Sequence, residues 1–226
     1  GADPDAMIAP EAKGDELCQG CHSEALGYGS IHSQHRPDSS GSRCVSCHMP
    51  RDTYGLLHVT RSHHISSPSV RSDLDAGRPN ACSLCHANQS LTWAAEQLST
   101  RWHIGAEEPR MIREAHIPRL LLTGDAGQRA LAAAALGDPS QVGLLDWQAP
   151  LLLASLEDPE PAVRYVVKEA LKGLQYELDG YDYLEPTGSS HAQVRRWFKD
   201  ASPASLGRLA RALRVSPSES EGHIFL

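Results

Sequence analysis

Cys18-Gln19-Gly20-Cys21-His22, Cys44-Val45-Ser46-Cys47-His48 and Cys82-Ser83-Leu84-Cys85-His86 are three copies of one pattern, and they use all six cysteines of the chain. Cys-x-x-Cys-His is the attachment sequence for c-type haem. Two thiols one helical turn apart can both add to the vinyl groups of one porphyrin. The histidine that follows then lies under the iron as its first axial ligand. A lone Cys-x-x-Cys is as often half of a zinc site or a redox dithiol. Three pairs divide badly into four-thiolate zinc sites, however, and disulfides need no histidine after every second cysteine. The motifs therefore predict three covalent haems, held by Cys18, Cys21, Cys44, Cys47, Cys82 and Cys85, with His22, His48 and His86 as proximal ligands.

The elements around these motifs are short on core. Only 5% of the residues are aromatic, and the stretch before Ser90 has few large apolar side chains. Such a segment buries too little apolar surface to offset its ordering entropy. Three rigid, mostly apolar porphyrins would supply the missing interior. Gly27, Gly29, Pro37 to Gly41, Pro50, Ser66-Ser67-Pro68 and Gly77-Arg78-Pro79 deny long helices between Cys18 and His86. Only the short turn of each motif is expected to be helical there.

After His86 the pattern becomes helical. Leu91, Ala95, Leu98 and Trp102 form one stripe, with Ser90 as N-cap and Gly105 as stop. A helix from Pro109 to about His116 should be interrupted by Pro118. Two similar units follow. One runs from Leu120 through Gly124-Asp125 to Leu136-Gly137, the next from Leu151 through Asp158-Pro159 to Leu174. Each reads as an apolar helix, an Asp turn and a second helix with Arg129 or Arg164 near its start. This pattern looks like HEAT-type helical repeats. Leu152, Leu153 and Leu156 should meet Val163, Val167 and Leu171 along an inner seam. Arg129 and Arg164 should face the turn acids Asp125 and Asp158. Further helices around Val194 to Phe198 and Pro203 to Leu213 should cap the stack.

The expected fold is thus mainly α: a loop-rich triheme c-type cytochrome domain over 1–105, then a short α-solenoid of HEAT-like helix pairs over 106–226. Covalent haem implies a bacterial periplasmic or extracellular, cell-surface location. The first residues have no basic or apolar signal region, so a signal peptide is expected to have been removed. A formal net charge of −7 argues against nucleic acid as a partner and for a redox partner with a basic docking face. No apolar run reaches the length of a transmembrane helix.

Twelve histidines are present and three belong to the motifs. The runs His32-Ser33-Gln34-His35, Gly41 to Pro50, Arg61-Ser62-His63 and Pro79 to His86 are similar to multihaem c-type cytochromes related to the cytochrome c-554 group. In that family a haem module is often followed by TPR- or HEAT-type repeats. The resemblance covers about residues 15–105. It implies that His32, His35 and His63 are the distal iron ligands, without saying which serves which haem. His64 or His58 could replace His63, and His103 or His116 could reach back from the join. Met7 and Met111 are alternative axial thioethers, whereas Met49 reads as packing. Arg36, Arg43, Arg51 and Arg61 read equally well as propionate partners and as solvated side chains.

The function this predicts is electron transfer between donor and acceptor proteins, not enzymatic catalysis, with the helical half as a docking surface. One alternative is a reductase in which one iron stays five-coordinate and acts on a small nitrogen or sulfur oxyanion or a peroxide. Another is a haem-bearing subunit of a larger cytochrome assembly or polymer.

Overall fold

In the computed structural model the chain is mainly helical, with little strand. The structure describes residues 14–22, 30–55, 57–105, 114–138 and 147–185, together with 194 and 196. The expected lead-in before residue 14, the helix from Pro109 and the capping helices beyond 196 lie outside the described residues.

From residue 14 to 85 the helices are short. They are α1 (Glu16–Gln19), α2 (Ser30–Ser33), α3 (Cys44–His48), α4 (Val70–Asp75) and α5 (Ala81–Cys85). A two-stranded antiparallel hairpin lies among them, β1 (Arg51–Tyr54) with β2 (His58–Arg61), pairing Arg51 with Arg61 and Tyr54 with His58. Sequence reading treated this stretch as loop. Thr53, Val59 and Thr60 are good strand formers, and Gly55 adopts the left-handed conformation (φ 63°) that lets the chain reverse.

The following helix, α6 (Leu91–Trp102), matches the predicted stripe. The Ser90 hydroxyl caps it by accepting from the Trp93 N–H, and His103, not Gly105, supplies the left-handed end. Its buried face, Leu91, Ala94, Ala95 and Leu98, joins Val70 of α4 in a small core.

The larger core belongs to α7 (His116–Thr123), α8 (Ala126–Gly137), α9 (Gln148–Ala154) and α10 (Pro161–Gly173). Pro118 does not interrupt a helix. It sits in the first turn of α7, where its missing N–H costs no hydrogen bond. Asp125 and Gln128 form a reciprocal capping box at the start of α8, and Pro161 opens α10. The seam from Leu152 to Leu171 is buried as its apolar spacing requires. Where α8 crosses α10, a Cβ on Gly137 would lie 2.5 Å from Ala170, so only a hydrogen fits.

The arginines depart from the expected ladder. Arg129 reaches forward to the next turn and grips Asp158 in two hydrogen bonds of 2.7 and 3.0 Å. Asp125 is spent on its own helix cap. Arg164 is buried and donates to the backbone carbonyls of Asp158, Pro159, Tyr183 and Glu185. Each arginine therefore staples its turn to the stretch that follows.

The two halves touch closely. Leu84 and Ala87, inside and just after the third motif, pack into the larger core, while Cys82 packs against the smaller one. Gln128 donates to the Gly77 carbonyl at 2.8 Å, and Arg51 lies 3.8 Å from Asp138. The third motif is thus wedged between both cores.

Candidate cofactor-attachment site

Each motif is positioned by a different local device. Asn80 is fully buried before α5; its side-chain oxygen accepts the Cys82 N–H at 3.1 Å, and its amide donates to Asp73 at 2.8 Å. The helix of the second motif, α3, has no such neighbour, because Arg43 at its N-cap makes no side-chain cap. Asp15 supplies the missing acceptor from 29 residues away, taking the Cys44 N–H at 3.0 Å. At the other end of α3, Arg61 on β2 donates to the carbonyls of Val45 and Met49 at 3.0 and 3.2 Å. The hairpin that sequence reading missed is what places this arginine.

The histidines expected as distal ligands come to the motifs in pairs. His32 faces His48 with ring centres 6.3 Å apart and planes within 11°. His35 faces His86 at 6.2 Å, tilted by 37°. A metal–imidazole bond of about 2.0 Å, with roughly 1.1 Å from ring nitrogen to ring centre, sets two opposed imidazoles about 6.2 Å apart across one metal ion. Both separations equal that span within about 0.1 Å. His32 therefore lies beside the histidine of the second motif and His35 beside that of the third.

Residues three apart on a continuous helix share one face, so reaching two different motifs requires a break between them. Gln34 provides it, taking a left-handed conformation (φ 55°) while its amide donates to the Ile31 carbonyl at 2.7 Å. Trp102 at the end of α6 holds the first branch, its indole N–H donating to the His32 carbonyl at 2.6 Å. Gly41 makes room for the second, since a Cβ there would collide with the His35 ring.

Hydrogen bonds also set the tautomers. His48 Nδ1 lies 2.9 Å from the Ser66 carbonyl, and His35 Nδ1 lies 2.5 Å from that of Ser33. A carbonyl only accepts, so Nδ1 carries the proton and Nε2 is left with its lone pair, as a metal ligand needs. Burial, and then the nearby His35, pushes the pKa of His86 down and keeps its imidazole neutral.

The first motif is arranged differently. Cys21 and His22 are exposed, and so are His58, His63 and His64. Among the described residues no imidazole is paired with His22 as His32 is with His48. His103 is exposed at the end of α6. His116 is buried in α7, the helix that packs against α5 of the third motif, with neither ring nitrogen hydrogen-bonded.

Four thiols, of Cys44, Cys47, Cys82 and Cys85, are held protonated by their surroundings. All six cysteines are free. Burial, then Asp15 and Cys18, pushes the Cys44 pKa up to about 11. Burial, then Cys47 and Asp73, pushes that of Cys82 up to about 12. Those of Cys47 and Cys85 are raised as well, chiefly by burial. A redox dithiol needs the opposite shift at its attacking thiol. No three His, Cys, Asp or Glu side chains converge on a metal-sized site among the described residues. A porphyrin iron asks the protein for only two.

The surroundings suit a large apolar group. Leu17, Ile31, Leu57 and Ile65 are between 43% and 72% exposed, and three of them adjoin residues of the site: Leu17 precedes Cys18, Ile31 precedes His32, and Ile65 precedes the Ser66 that holds His48. The donor set, the spacing of the imidazoles and these uncovered side chains fit haem.

Comparison of the chain with family models, with curated proteins and with solved structures yields no match. No helix among the described residues is long and apolar enough to cross a membrane.

Proposed function

We propose that the chain is an extracytoplasmic electron-transfer protein carrying three covalent c-type haems, through thioethers at Cys18/Cys21, Cys44/Cys47 and Cys82/Cys85. The observation that carries this reading is the pair of opposed imidazoles, His32 with His48 and His35 with His86, each at the separation one iron would impose. When bound, each haem supplies a one-electron ferric/ferrous couple.

The residues of the chain do the rest. His48 and His86 would hold the second and third irons through their motifs, with His32 and His35 as the second imidazole at each. At the first site His22 would hold the iron; the resemblance adds His63 to the distal ligands without saying which haem it serves. The carbonyls of Ser66 and Ser33 keep Nδ1 protonated and the ligating nitrogen free. The helix pairs from His116 to Gly173 are read as a short HEAT-like stack offering a face to protein partners.

Carbon monoxide tests the reading. Added to the reduced protein, it should leave the optical spectrum unchanged if every iron is six-coordinate. His32→Ala and His35→Ala should each open one iron. Binding by the unaltered protein would favour the reductase reading and locate it at the first motif, the one His22 serves.

A further inference from the structure

We propose that the second attachment motif is the hub of the three, with the first site on one side and the third on the other, and that Asp15 is the positioning residue that clasps the first site to the second. The inference rests on the haem reading above and adds an order to it.

The helix of the second motif meets both neighbours: α3 packs against α5 of the third motif, while its N-terminal amide is bound by Asp15, one residue before α1 of the first. The distal side repeats the arrangement, because His32 and His35 leave one short segment for the second and third motifs. A group attached at Cys44 and Cys47 would therefore lie between the other two sites, which gives the sites an order: first, second, third.

Asp15 matters here because nothing local can replace it. An uncapped first-turn N–H is satisfied by a side chain or by water, and this one is satisfied by the strand of chain that delivers Cys18. The contact ties together two sites 29 residues apart by a single hydrogen bond.

A stepwise redox titration of the full-length, haem-loaded protein, followed by NMR of the haem methyl resonances, reads the interaction between each pair of sites. Neighbours at half the separation of the outer pair should interact about twice as strongly. The first–second and second–third interactions should therefore each exceed the first–third interaction about twofold. A first–third interaction equal to either would overturn the order. Asp15→Ala should weaken the first–second interaction and leave second–third unchanged, while Asp15→Asn, which keeps the acceptor oxygen, should restore it. An unchanged first–second interaction in Asp15→Ala would remove the clasp. Fewer than three haems by mass would instead mean that the underlying haem reading fails.

Discussion

The stretch from residue 14 to 105 and the stretch from 114 to 185 solve the same problem in opposite ways. The second buries its own leucines, valines and alanines in one continuous core and closes its turns with Arg129 and Arg164. The first has a small core under α6, helices of four to six residues before it, and large apolar side chains left in the open. A core encoded in side chains holds without help. On the proposed reading three porphyrins would supply the core that the glycines, serines and histidines of the first region lack.

The sharpest way to break this comparison is to deny the first region its groups. Cys82→Ala with Cys85→Ala should release the wedge between the two cores. Limited proteolysis should then cut freely between residues 14 and 105, while far-UV circular dichroism keeps the signal of α7 to α10. Equal resistance in both regions would show that the haem region carries its own core.

The second region should yield to losses that the first ignores. Removing one partner of a buried ion pair costs about 3–5 kcal/mol. Asp158→Ala should approach the lower figure, since Arg129 is only 17% exposed and keeps the Gly124 carbonyl as a second acceptor. Chemical denaturation should show this loss while the haem absorbance is unaltered.

His116 adds a pH test. Burial, and then Arg119, lowers its pKa from 6.5 to about 4. The folded state therefore keeps it neutral while the unfolded chain takes up a proton. Stability should be flat above pH 7, fall as the pH drops below about 6.5, and reach its full loss near pH 4. The upper limit is about 3 kcal/mol. Urea titrations at pH 7.5 and 5 should show the slope, and His116→Leu should remove it.

The smallest expected effect is at Trp102. Trp102→Phe keeps the ring but loses the N–H that holds the His32 carbonyl, at a cost of about 1 kcal/mol. It should make the second iron detectably more open to carbon monoxide and leave the third closed.

How much of this was legible depended on how local the signal was. Ser90 before Leu91, Asp125 before Ala126 and Pro161 at the head of α10 announce helices within four residues of the event, and those helices were readable. The three Cys-x-x-Cys-His motifs are legible as motifs for the same reason. The hairpin around Gly55 was hidden because its strands are four residues long and flanked by proline and glycine. Asp15 on Cys44, Trp102 on His32 and Arg129 on Asp158 join residues 29 to 70 apart. No periodicity marks such a contact; only the folded chain shows it. Gln34 was similarly silent, since a left-handed glutamine has no sequence signature.

One measurement meets the central claim most directly: the intact mass of the protein, purified from a host able to attach haem and recorded under denaturing conditions. The account predicts the polypeptide mass plus three haems, with none released by acid. The polypeptide mass alone, or with only one or two haems added, would contradict it.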